Sequence, residues 1–230
     1  MSASSAFSGY FTVLQLSDGG GTPTFTTIAE IFAIGGPQLG RVMVEATNME
    51  SDDRYREFIG GLCEATQFTA ELNFVPTNST QADLLTNLAA IDSTAKRTYR
   101  IVLPNKANGI TTTASTTTFT ATSHGFNTAQ PIQFSTSGTI PTALKAGKFY
   151  YARRLSSSTY SVHPTCADAL ANSNAISGSG GSGTLTVWTG TTFTFTASVS
   201  GLAPKYPLAD RITATATFKL SGKATPSNIT

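Results

Sequence analysis

The sequence predicts an all-β fold with one short α-helix. Only 12% of its 230 residues are charged, while threonine, serine and glycine are abundant, a composition that favours strands separated by polar turns. Several segments also alternate apolar and polar residues with a period of two, which is typical of a strand with one face on a core. With 40% apolar residues, the chain can bury one sizeable core or two small ones.

Alternating segments outside the middle of the chain predict four strands with one buried face each. They are RVMVEAT (41–47), FTAELNF (68–74), TFTFTASV (192–199) and ITATATFKL (212–220). The segment TYRIVLP, which ends at Pro104, predicts a further strand. Because residues 200–211 contain Gly201, Pro204 and Pro207, we expect a loop or a broad hairpin tip between the last two strands.

A helix is predicted within NSTQADLLTNLAAIDS, residues 78–93. Either Ser79 or Thr80 is a suitable N-cap, because a short hydroxyl side chain accepts a hydrogen bond from an otherwise unpaired helical N–H. Three apolar residues recur at helical spacing and predict a single buried stripe. They are Leu84, Leu88 and Ile91.

The composition changes between residues 109 and 190, where Asp168 is the one acidic residue. This segment contains about five short alternating stretches with turn signals between them, and its GSGGSG stretch at 178–183 predicts a flexible loop. Without the segment, the strands on either side of it become neighbours, as in a hairpin. We therefore predict a discontinuous β-domain, residues 1–108 and 191–230, with a small β-domain, residues 109–190, inserted at a hairpin tip.

Charge and cysteine content argue against several classes of function. The net charge is +2 and lysines and arginines do not cluster, so composition does not favour a nucleic-acid-binding protein. The N-terminus lacks the features of a secretory signal, and no apolar run approaches the roughly 20 residues of a membrane span, so we expect a protein that stays soluble inside the cell. We expect Cys63 and Cys166 to be reduced and at least partly buried.

Four segments outside the insertion carry a family resemblance, supported by Pro37, the TNMES stretch at 47–51 and the Gly61–Leu62 turn. They are IAEIFAIGGPQLGRVMVEATNMES (28–51), EFIGGLCEATQFTAELNFVPTNSTQADLL (57–85), YRIVLP (99–104) and FTFTASVSGLAPKYPLADRITATATFKLSGK (193–223). In this order they resemble the lambda-like major tail tube proteins of siphovirus bacteriophages. The chain departs from the family at residues 63–65, where an acid and a glycine are more usual. The resemblance implies a tail-tube β-sandwich or barrel domain.

The inserted segment has a resemblance of its own. Its motifs are HGF (124–126), IQF (132–134), GTIP (138–141), KFYY (148–151) and TYSV (159–162). They resemble a small β-module found in many phage structural proteins. The resemblance implies that His124 and Gly125 lie at a turn between two strands, which His124 caps.

The charged run MESDDRYRE, residues 49–57, has two interpretations. From the residues alone, it is as well explained by a solvated loop. The resemblance to tail tube proteins implies instead a loop that reaches neighbouring subunits, where its charges set ring stacking and register and its aromatic residues add contact area. The residues assigned to that loop are Met49, Glu50, Asp52, Asp53, Arg54, Tyr55, Arg56 and Phe58.

The resemblance also implies a function and partners. Copies would form hexameric rings that stack on a length-determining tape measure protein and meet tail tip and terminator proteins. Strands of all copies would complete one β-barrel through which DNA passes without specific binding, in the tail of a virion assembled in the bacterial cytoplasm. The inserted domain would decorate the outside of this tube. Residues expected to face a lumen or a partner are Thr69, Glu71 and Asn73, together with Met43 and Thr47.

Chemical functions have weaker support in the sequence. His124, His163, Cys166 and Asp168 do not have the paired spacing of a zinc site, and GSGGSG precedes a strand-like segment where a dinucleotide fold needs a helix. We therefore expect neither an enzyme nor a cofactor. Two other classes remain open: a receptor-binding or adhesin module, with a glycan held by Tyr150, Tyr151, Tyr160 and Trp188, and a capsid decoration or connector protein that forms trimers or single closed rings.

Overall fold

The structure is a computed structural model that describes residues 9, 11–19, 25–49, 55–65, 67–91 and 95–227. The predicted all-β fold is confirmed. In the first half of the chain the elements are β1 (Val13–Ser17), β2 (Phe25–Thr27), β3 (Ile31–Ile34), β4 (Leu39–Glu45), β5 (Phe58–Ala65), β6 (Gln67–Asn73), α1 (Ser79–Ala89) and β7 (Arg97–Val102). In the second half they are β8 (Asn108–Ala114), β9 (Phe119–Thr120), β10 (Gln130–Thr136), β11 (Phe149–Arg154), β12 (Thr159–His163), α2 (Cys166–Ala171), β13 (Leu185–Thr189), β14 (Thr192–Lys205), β15 (Thr213–Leu220) and β16 (Thr225–Ser227).

The chain divides into two compact units. Unit 1 comprises Met1–Ala29, Arg97–Thr194 and Thr225–Thr230, and unit 2 comprises Glu30–Lys96 and Phe195–Ala224. Unit 1 therefore contains the whole predicted insertion together with β1, β2 and β7. The predicted boundaries of an independent inserted domain stay a prediction, and the contacts of β1 described below explain this grouping.

Unit 1 contains a closed six-stranded barrel. Its strands follow one another around the barrel in the order β10, β11, β12, β9, β8, β13, and every neighbouring pair is antiparallel. The five alternating stretches of the insertion form β9 to β13, and the threonine-rich run before them supplies β8. Closure leaves no strand of the barrel with a free edge, which removes the usual template for uncontrolled strand pairing.

Aromatic side chains fill the interior of the barrel. The ring of Phe119, which is fully buried, lies 5.5 Å from that of Tyr160 and 5.6 Å from that of Phe134 between ring centres. The Tyr160 hydroxyl donates to Thr112 Oγ1 at 2.9 Å, and burial raises the pKa of this phenol. A buried hydroxyl therefore has its partner inside the core.

A buried arginine joins β1 to β7 in the same unit. Arg100 lies opposite Gln15, and its Nε and Nη2 both donate to Gln15 Oε1, at 2.9 and 2.5 Å. The guanidinium also lies 4.1 Å from the centre of the Phe25 ring. Removal from water lowers the pKa of Arg100 to about 10, so the amide oxygen and the ring compensate only part of the lost hydration.

The same glutamine connects β1 to the barrel. Gln15 Nε2 donates to the backbone oxygen of Ala129 at 2.9 Å and to Thr27 Oγ1 at 3.0 Å. Ala129 immediately precedes β10 and is fully buried. One amide side chain therefore links β1, β2, β7 and the barrel, all of which belong to unit 1.

The chain enters and leaves the barrel at neighbouring positions. Asn108, the first residue of β8, is the register partner of Thr189, the last residue of β13. The next residue, Gly190, packs so tightly that a Cβ atom there would lie 1.7 Å from the Leu103 backbone oxygen. A side chain at this position would force the backbone apart, so glycine is required at the exit from the barrel.

Unit 2 is built on four antiparallel strands in the order β14, β15, β6, β3, with β14 contributing from Phe195 onward. The predicted alternation is confirmed in β6 and β15, where every second residue is buried. In the core, the Phe68 ring stacks on that of Phe218 at 4.4 Å and meets the edge of Phe195 at 5.0 Å. These aromatic contacts fix the register of three neighbouring strands.

The long loop predicted between the last two strands is wrong in extent. Strand β14 runs through Gly201 and Pro204 to Lys205, so only residues 206–212 connect it to β15. The register shifts between Val199 and Gly201, which is the sign of a β-bulge. A strand tolerates glycine at a bulge, as at Gly201, and tolerates proline at an exposed position, as at Pro204.

Helix α1 is capped by a different residue from the one predicted. Asn78 Oδ1 accepts a hydrogen bond from Thr80 N at 3.0 Å, so Ser79 and Thr80 are the first helical residues and neither is the cap. The predicted apolar stripe is also wrong beyond its first member. The buried residues of the helix are Gln81, Leu84 and Asn87, whereas Leu88 and Ile91 are exposed.

Two buried amides explain this orientation of α1. Gln81 Oε1 accepts from Val75 N and its Nε2 donates to Asn73 O, both at 2.9 Å. Asn87 Oδ1 accepts from Val199 N at 3.0 Å. Because a side-chain amide satisfies both a donor and an acceptor of the backbone, these contacts hold the helix with a polar face turned inward.

The GSGGSG stretch is a loop, and its backbone makes hydrogen bonds to neighbouring turns. Gly178 N donates to Thr116 O at 2.8 Å, and Ser182 N donates to Thr139 O at 2.8 Å. A Cβ atom on Gly178 would lie 2.6 Å from the Ala114 Cβ atom. There is no room for a side chain at Gly178, and we call residues 178–183 the glycine strap.

Candidate assembly surface

Exposed apolar side chains are concentrated in one part of the protein. Among the residues that the structure describes, twenty large apolar side chains are exposed, and seventeen of them belong to unit 2. Scattered single apolar residues are normal on a protein surface, whereas groups of them indicate an interaction site. The elements of unit 2 that carry them are therefore candidates for an interaction surface.

The largest group lies on the β4–β5 hairpin. All seven residues of β4 are exposed, although RVMVEAT was predicted to have one face on a core, so that prediction is wrong. Strands β4 and β5 pair with each other in a separate two-stranded sheet. A two-stranded ribbon is at best marginally stable in water. The alternating pattern predicts the strand correctly, but it does not predict which layer packs on the strand.

Both faces of this hairpin carry exposed apolar side chains, and Leu39, Met43 and Phe58 are at least half exposed. On one face, the Arg41 side chain lies over Gly60, where a Cβ atom would be 2.8 Å from Arg41 Cδ. On the other face, Val44 pairs with Ile59, and the register of the two strands shifts between Arg41 and Met43, at Val42. Val42, Val44 and Ile59 are each about half exposed, at 48%, 49% and 59%. We call these three exposed residues of the hairpin, Val42, Val44 and Ile59, the hairpin strip.

The charged run lies in the connection between β4 and β5. Arg56 Nη1 lies 3.6 Å from Glu45 Oε2 in an exposed ion pair, and Ala46 N donates to Glu57 O at 2.9 Å. Two other predicted loop residues, Met49 and Tyr55, project into solvent. Phe58, at the start of β5, is half exposed. Glu50, Asp52, Asp53 and Arg54 lie outside the residues that the structure describes.

Two further apolar groups lie elsewhere in unit 2. The β14–β15 connection carries Tyr206, which is 68% exposed, and Leu208, which is fully exposed. In the same connection, the Arg211 guanidinium lies 4.8 Å from the centre of the Phe32 ring on β3. Helix α1 exposes Leu85 beside Leu88. No periodic pattern marks the β14–β15 connection, so sequence reasoning missed it.

The other face of the four-stranded sheet is polar. Thr69 and Glu71 of β6 are exposed and lie opposite Thr217 and Thr215 of β15. Asn73 is half-buried: its Nδ2 donates to Glu30 Oε2 at 2.9 Å, and its Oδ1 is buried without a partner among the described residues. The predicted lumen residues thus share one sheet face, on which neutral hydroxyls outnumber charges.

His124 and Gly125 lie in the turn before β10. His124 Nδ1 accepts from Phe126 N at 3.0 Å, so Nε2 carries the proton and donates to Thr159 O at 3.2 Å. Gly125 has a φ of 65°, which favours glycine. Desolvation lowers the pKa of His124, with a smaller contribution from Arg154. Both ring nitrogens therefore serve the turn.

The residues considered for a zinc site do not come together around one point. His163 is buried, with Nε2 2.8 Å from Ser161 Oγ and Nδ1 2.5 Å from Ser173 O. Asp168 accepts from Ser173 and from Thr165 at the start of α2. In the described ranges, no three histidine, cysteine or acidic residues gather closely enough to hold a metal ion.

Two predictions are wrong: the partial burial of Cys63, and a glycan-binding role for Tyr150 and Tyr160. Both cysteines are free, but Cys63 is exposed where partial burial was expected, because β5 has no covering layer. Tyr150 and Tyr160 are fully buried inside the barrel and offer no platform. Trp188 is half-buried and donates from Nε1 to Ser135 Oγ at 2.7 Å.

Comparison with known proteins gives no relative for this arrangement: no family model matches the chain, and a search of curated proteins found no significant match. Within the described part of the chain, neither helix has the length and apolar character needed to cross a bilayer. The assignment of a function therefore depends on the geometry described above.

Proposed function

We propose that this protein is a structural virion component that assembles with copies of itself into stacked rings, as the major tail tube proteins do. The observation that supports the proposal best is the distribution of exposed apolar surface in unit 2. The hairpin strip, the β14–β15 connection and α1 each present a separate apolar group. A pair of subunits related by a two-fold axis needs one self-complementary patch, whereas a stacked ring needs lateral and axial contacts.

The polar sheet face supports the same proposal. In a tube, one face of the four-stranded sheet packs on the subunit's own core and the other lines the bore. Phosphate binding depends on contacts with lysine and arginine; the β6–β15 rows Glu71–Thr215 and Thr69–Thr217 contain neither, and the next row on this face pairs Gln67 with the single lysine Lys219. A bore lined mainly by hydroxyls, with one lysine per subunit on these two strands, would hold DNA only weakly. Six copies per ring, a tape measure protein and tail tip proteins belong to the proposal through the sequence resemblance.

The test is a double charge substitution in the hairpin strip, Val44→Lys with Ile59→Lys. Because both residues are already exposed, the folded subunit should keep its stability to within about 0.5 kcal/mol. We expect the wild-type protein to form stacked rings or tubes at rising concentration in negative-stain electron microscopy, and the variant to remain dispersed. The matched control is Leu155→Lys, an exposed apolar residue of unit 1 that should leave assembly unchanged.

Two results would contradict the proposal. One is unaltered tube formation by the double variant, which would remove the hairpin strip from the contacts. The other is wild-type protein that forms only trimers or single closed rings at every concentration, including after addition of an initiating complex, which would favour a decoration or connector protein.

A further inference from the structure

The barrel segment of unit 1 carries an excess of positive charge. Residues 105–191 contain five basic residues and one acid, a net charge of +4, whereas the rest of the chain contains ten basic and twelve acidic residues. The carboxylate of that one acid, Asp168, accepts hydrogen bonds from its own neighbours Thr165, Ser173 and Asn174. The positive charges of the barrel are therefore not balanced within it, and this unit attracts anions.

Four of the five basic residues flank strand β11. Lys145 and Lys148 precede it, in a turn where Lys148 N donates to Lys145 O at 3.3 Å. Arg153 and Arg154 are its last two residues. Because each residue of a strand rises about 3.3 Å, Lys148 and Arg154 lie about 20 Å apart along the chain. We call these four residues the β11 cation row, and its length exceeds the size of one small anion.

The Arg153 side chain is fixed in position with one edge of its guanidinium open. Its Nη1 donates to the backbone oxygens of Ala169 and Leu170, at 2.9 and 2.8 Å, near the end of α2. Within the described residues, Nε and Nη2 make no hydrogen bond, and neither is a buried atom without a partner, so both reach solvent. Two parallel N–H donors on one edge match two oxygens of a phosphate group. Because Nη1 already holds the side chain, binding costs little rotamer freedom.

The other members of the row are free to meet an anion. Lys145, Lys148 and Arg154 are exposed. In the part of the chain that the structure describes, none of the four residues takes part in an ion pair. The positive charges of this surface therefore lack a carboxylate partner from the barrel itself.

The surroundings of the row argue against a bilayer and against a nucleic acid. In the described chain, the exposed large apolar side chains of the barrel are Leu155 and Leu170, which supply too little area to enter a membrane. The aromatic side chains of the barrel are buried or half-buried, so the bases of a nucleic acid have no exposed ring on which to stack. What the row offers is charge along a line.

We propose that the β11 cation row binds an extended polymer of phosphate groups that carries no aromatic bases. The open edge of Arg153 binds the oxygens of one phosphate, and the other three cations attract neighbouring phosphates along the polymer. Contacts between exposed charges are individually weak and are screened by salt, so the affinity depends on several of them acting together. The proposal concerns unit 1 only and does not depend on the assembly of unit 2.

The test is fluorescence anisotropy of labelled long-chain polyphosphate, titrated with the full chain at concentrations below those at which it polymerises. We expect saturable binding at low salt. The double variant Lys145→Gln with Lys148→Gln should weaken binding about tenfold and reduce the salt dependence of the association constant by about half, because two of four contacts are lost. The matched control, Lys205→Gln with Lys223→Gln, removes the same charge from exposed lysines of unit 2 and should bind as the wild type does.

A second variant tests the open edge of Arg153. Arg153→Lys keeps the charge but removes the pair of parallel donors, so we expect binding about threefold weaker with an unchanged salt dependence. Circular dichroism of each variant shows whether the fold is retained. Lys145 and Lys148 are exposed, and their side chains make no hydrogen bond within the described residues, so the first variant keeps the proposal testable if Arg153→Lys unfolds.

Four outcomes would overturn this proposal. They are the absence of saturable polyphosphate binding at low salt, equal weakening by the row variant and its matched control, tighter binding of polyglutamate with the same number of charges, and tighter binding of an oligothymidylate with the same number of charges. The last two would assign the row to carboxylates or to a nucleic acid. Ring formation is measured separately by electron microscopy, so failure of this proposal and failure of the assembly proposal are distinguishable.

Discussion

At the scale of single residues, His124 shows how one side chain stabilises a turn through both of its ring nitrogens. The neutral ring accepts from Phe126 N through Nδ1 and donates to Thr159 O through Nε2. Protonation of Nδ1 would remove the acceptor and place a charge in a largely buried ring that contacts Phe126 and Tyr160. Both effects disfavour the charged form, in agreement with the lowered pKa of this histidine.

A pH dependence of stability follows from this shift. Histidine in the unfolded chain titrates near pH 6.5, and His124 in the folded protein titrates at a lower pH, so between the two values the unfolded chain binds more protons. The free energy of unfolding is therefore expected to fall as the pH decreases from 7 through this window. Urea unfolding at a series of pH values should show a smaller decrease for His124→Gln than for the wild type. A His124 ring signal in NMR that titrates at or above pH 6.5 would contradict the assignment.

Residue-scale reasoning also shows why some contacts escaped prediction. The Arg100–Gln15 pair joins residues 85 positions apart and includes no carboxylate, so neither spacing nor charge pairing indicates it. The histidine turn was predictable because its motif is local: a glycine with positive φ follows directly on the capping side chain. Local backbone chemistry can be predicted from sequence, whereas a buried polar pair depends on a register that the sequence does not state.

At the scale of elements, the alternating strands were predicted well and their surroundings were not. In both β4 and β6 apolar and polar residues alternate, yet β6 has a buried face and β4 is exposed on both. Periodicity describes a strand with two different faces and does not say whether the covering layer comes from the same chain. The exposure of β4 and β5 is therefore what connects fold to function here. A pattern that predicts a core, where the described residues supply no covering layer, is what an interaction surface would show.

The glycine strap provides the element-scale prediction. Replacing Gly178 by alanine would place a Cβ atom 2.6 Å from the Ala114 Cβ atom and 2.7 Å from the Ser115 backbone oxygen. Because the second contact is with backbone, relief requires movement of the strap, and we expect a loss of stability of about 1–3 kcal/mol. Thermal unfolding should show a lowered Tm for this variant and little change for Gly36→Ala, where nothing lies within 4 Å of the added atom. Equal Tm values would show that the strap yields freely, as a flexible loop would.

At the scale of the whole molecule, the two units have opposite surface properties. The barrel of unit 1 closes on itself, so its strands have no free edges, and it leaves Leu155 and Leu170 as its exposed large apolar residues. Unit 2 has exposed strands, an uncovered hairpin and most of the apolar surface of the described chain. A barrel without free edges can be displayed without causing aggregation, whereas a unit with exposed apolar groups can polymerise. The proposed roles of display and assembly follow this division.

A deletion tests the division directly. Because Asn108 and Thr189 are register partners, a short glycine linker can replace residues 109–190 without stretching the chain. The shortened protein loses the contact between Gln15 and Ala129, so unit 1 strands should be less stable, but the hairpin strip, the β14–β15 connection and α1 are unchanged. We expect it to form stacked rings without outer projections in electron microscopy, and the separate barrel, residues 105–191, to remain monomeric in sedimentation. A shortened protein whose circular dichroism shows a folded sheet and which nevertheless fails to assemble would place essential contacts in the barrel, and the exposed apolar surface of unit 2 would then need another occupant.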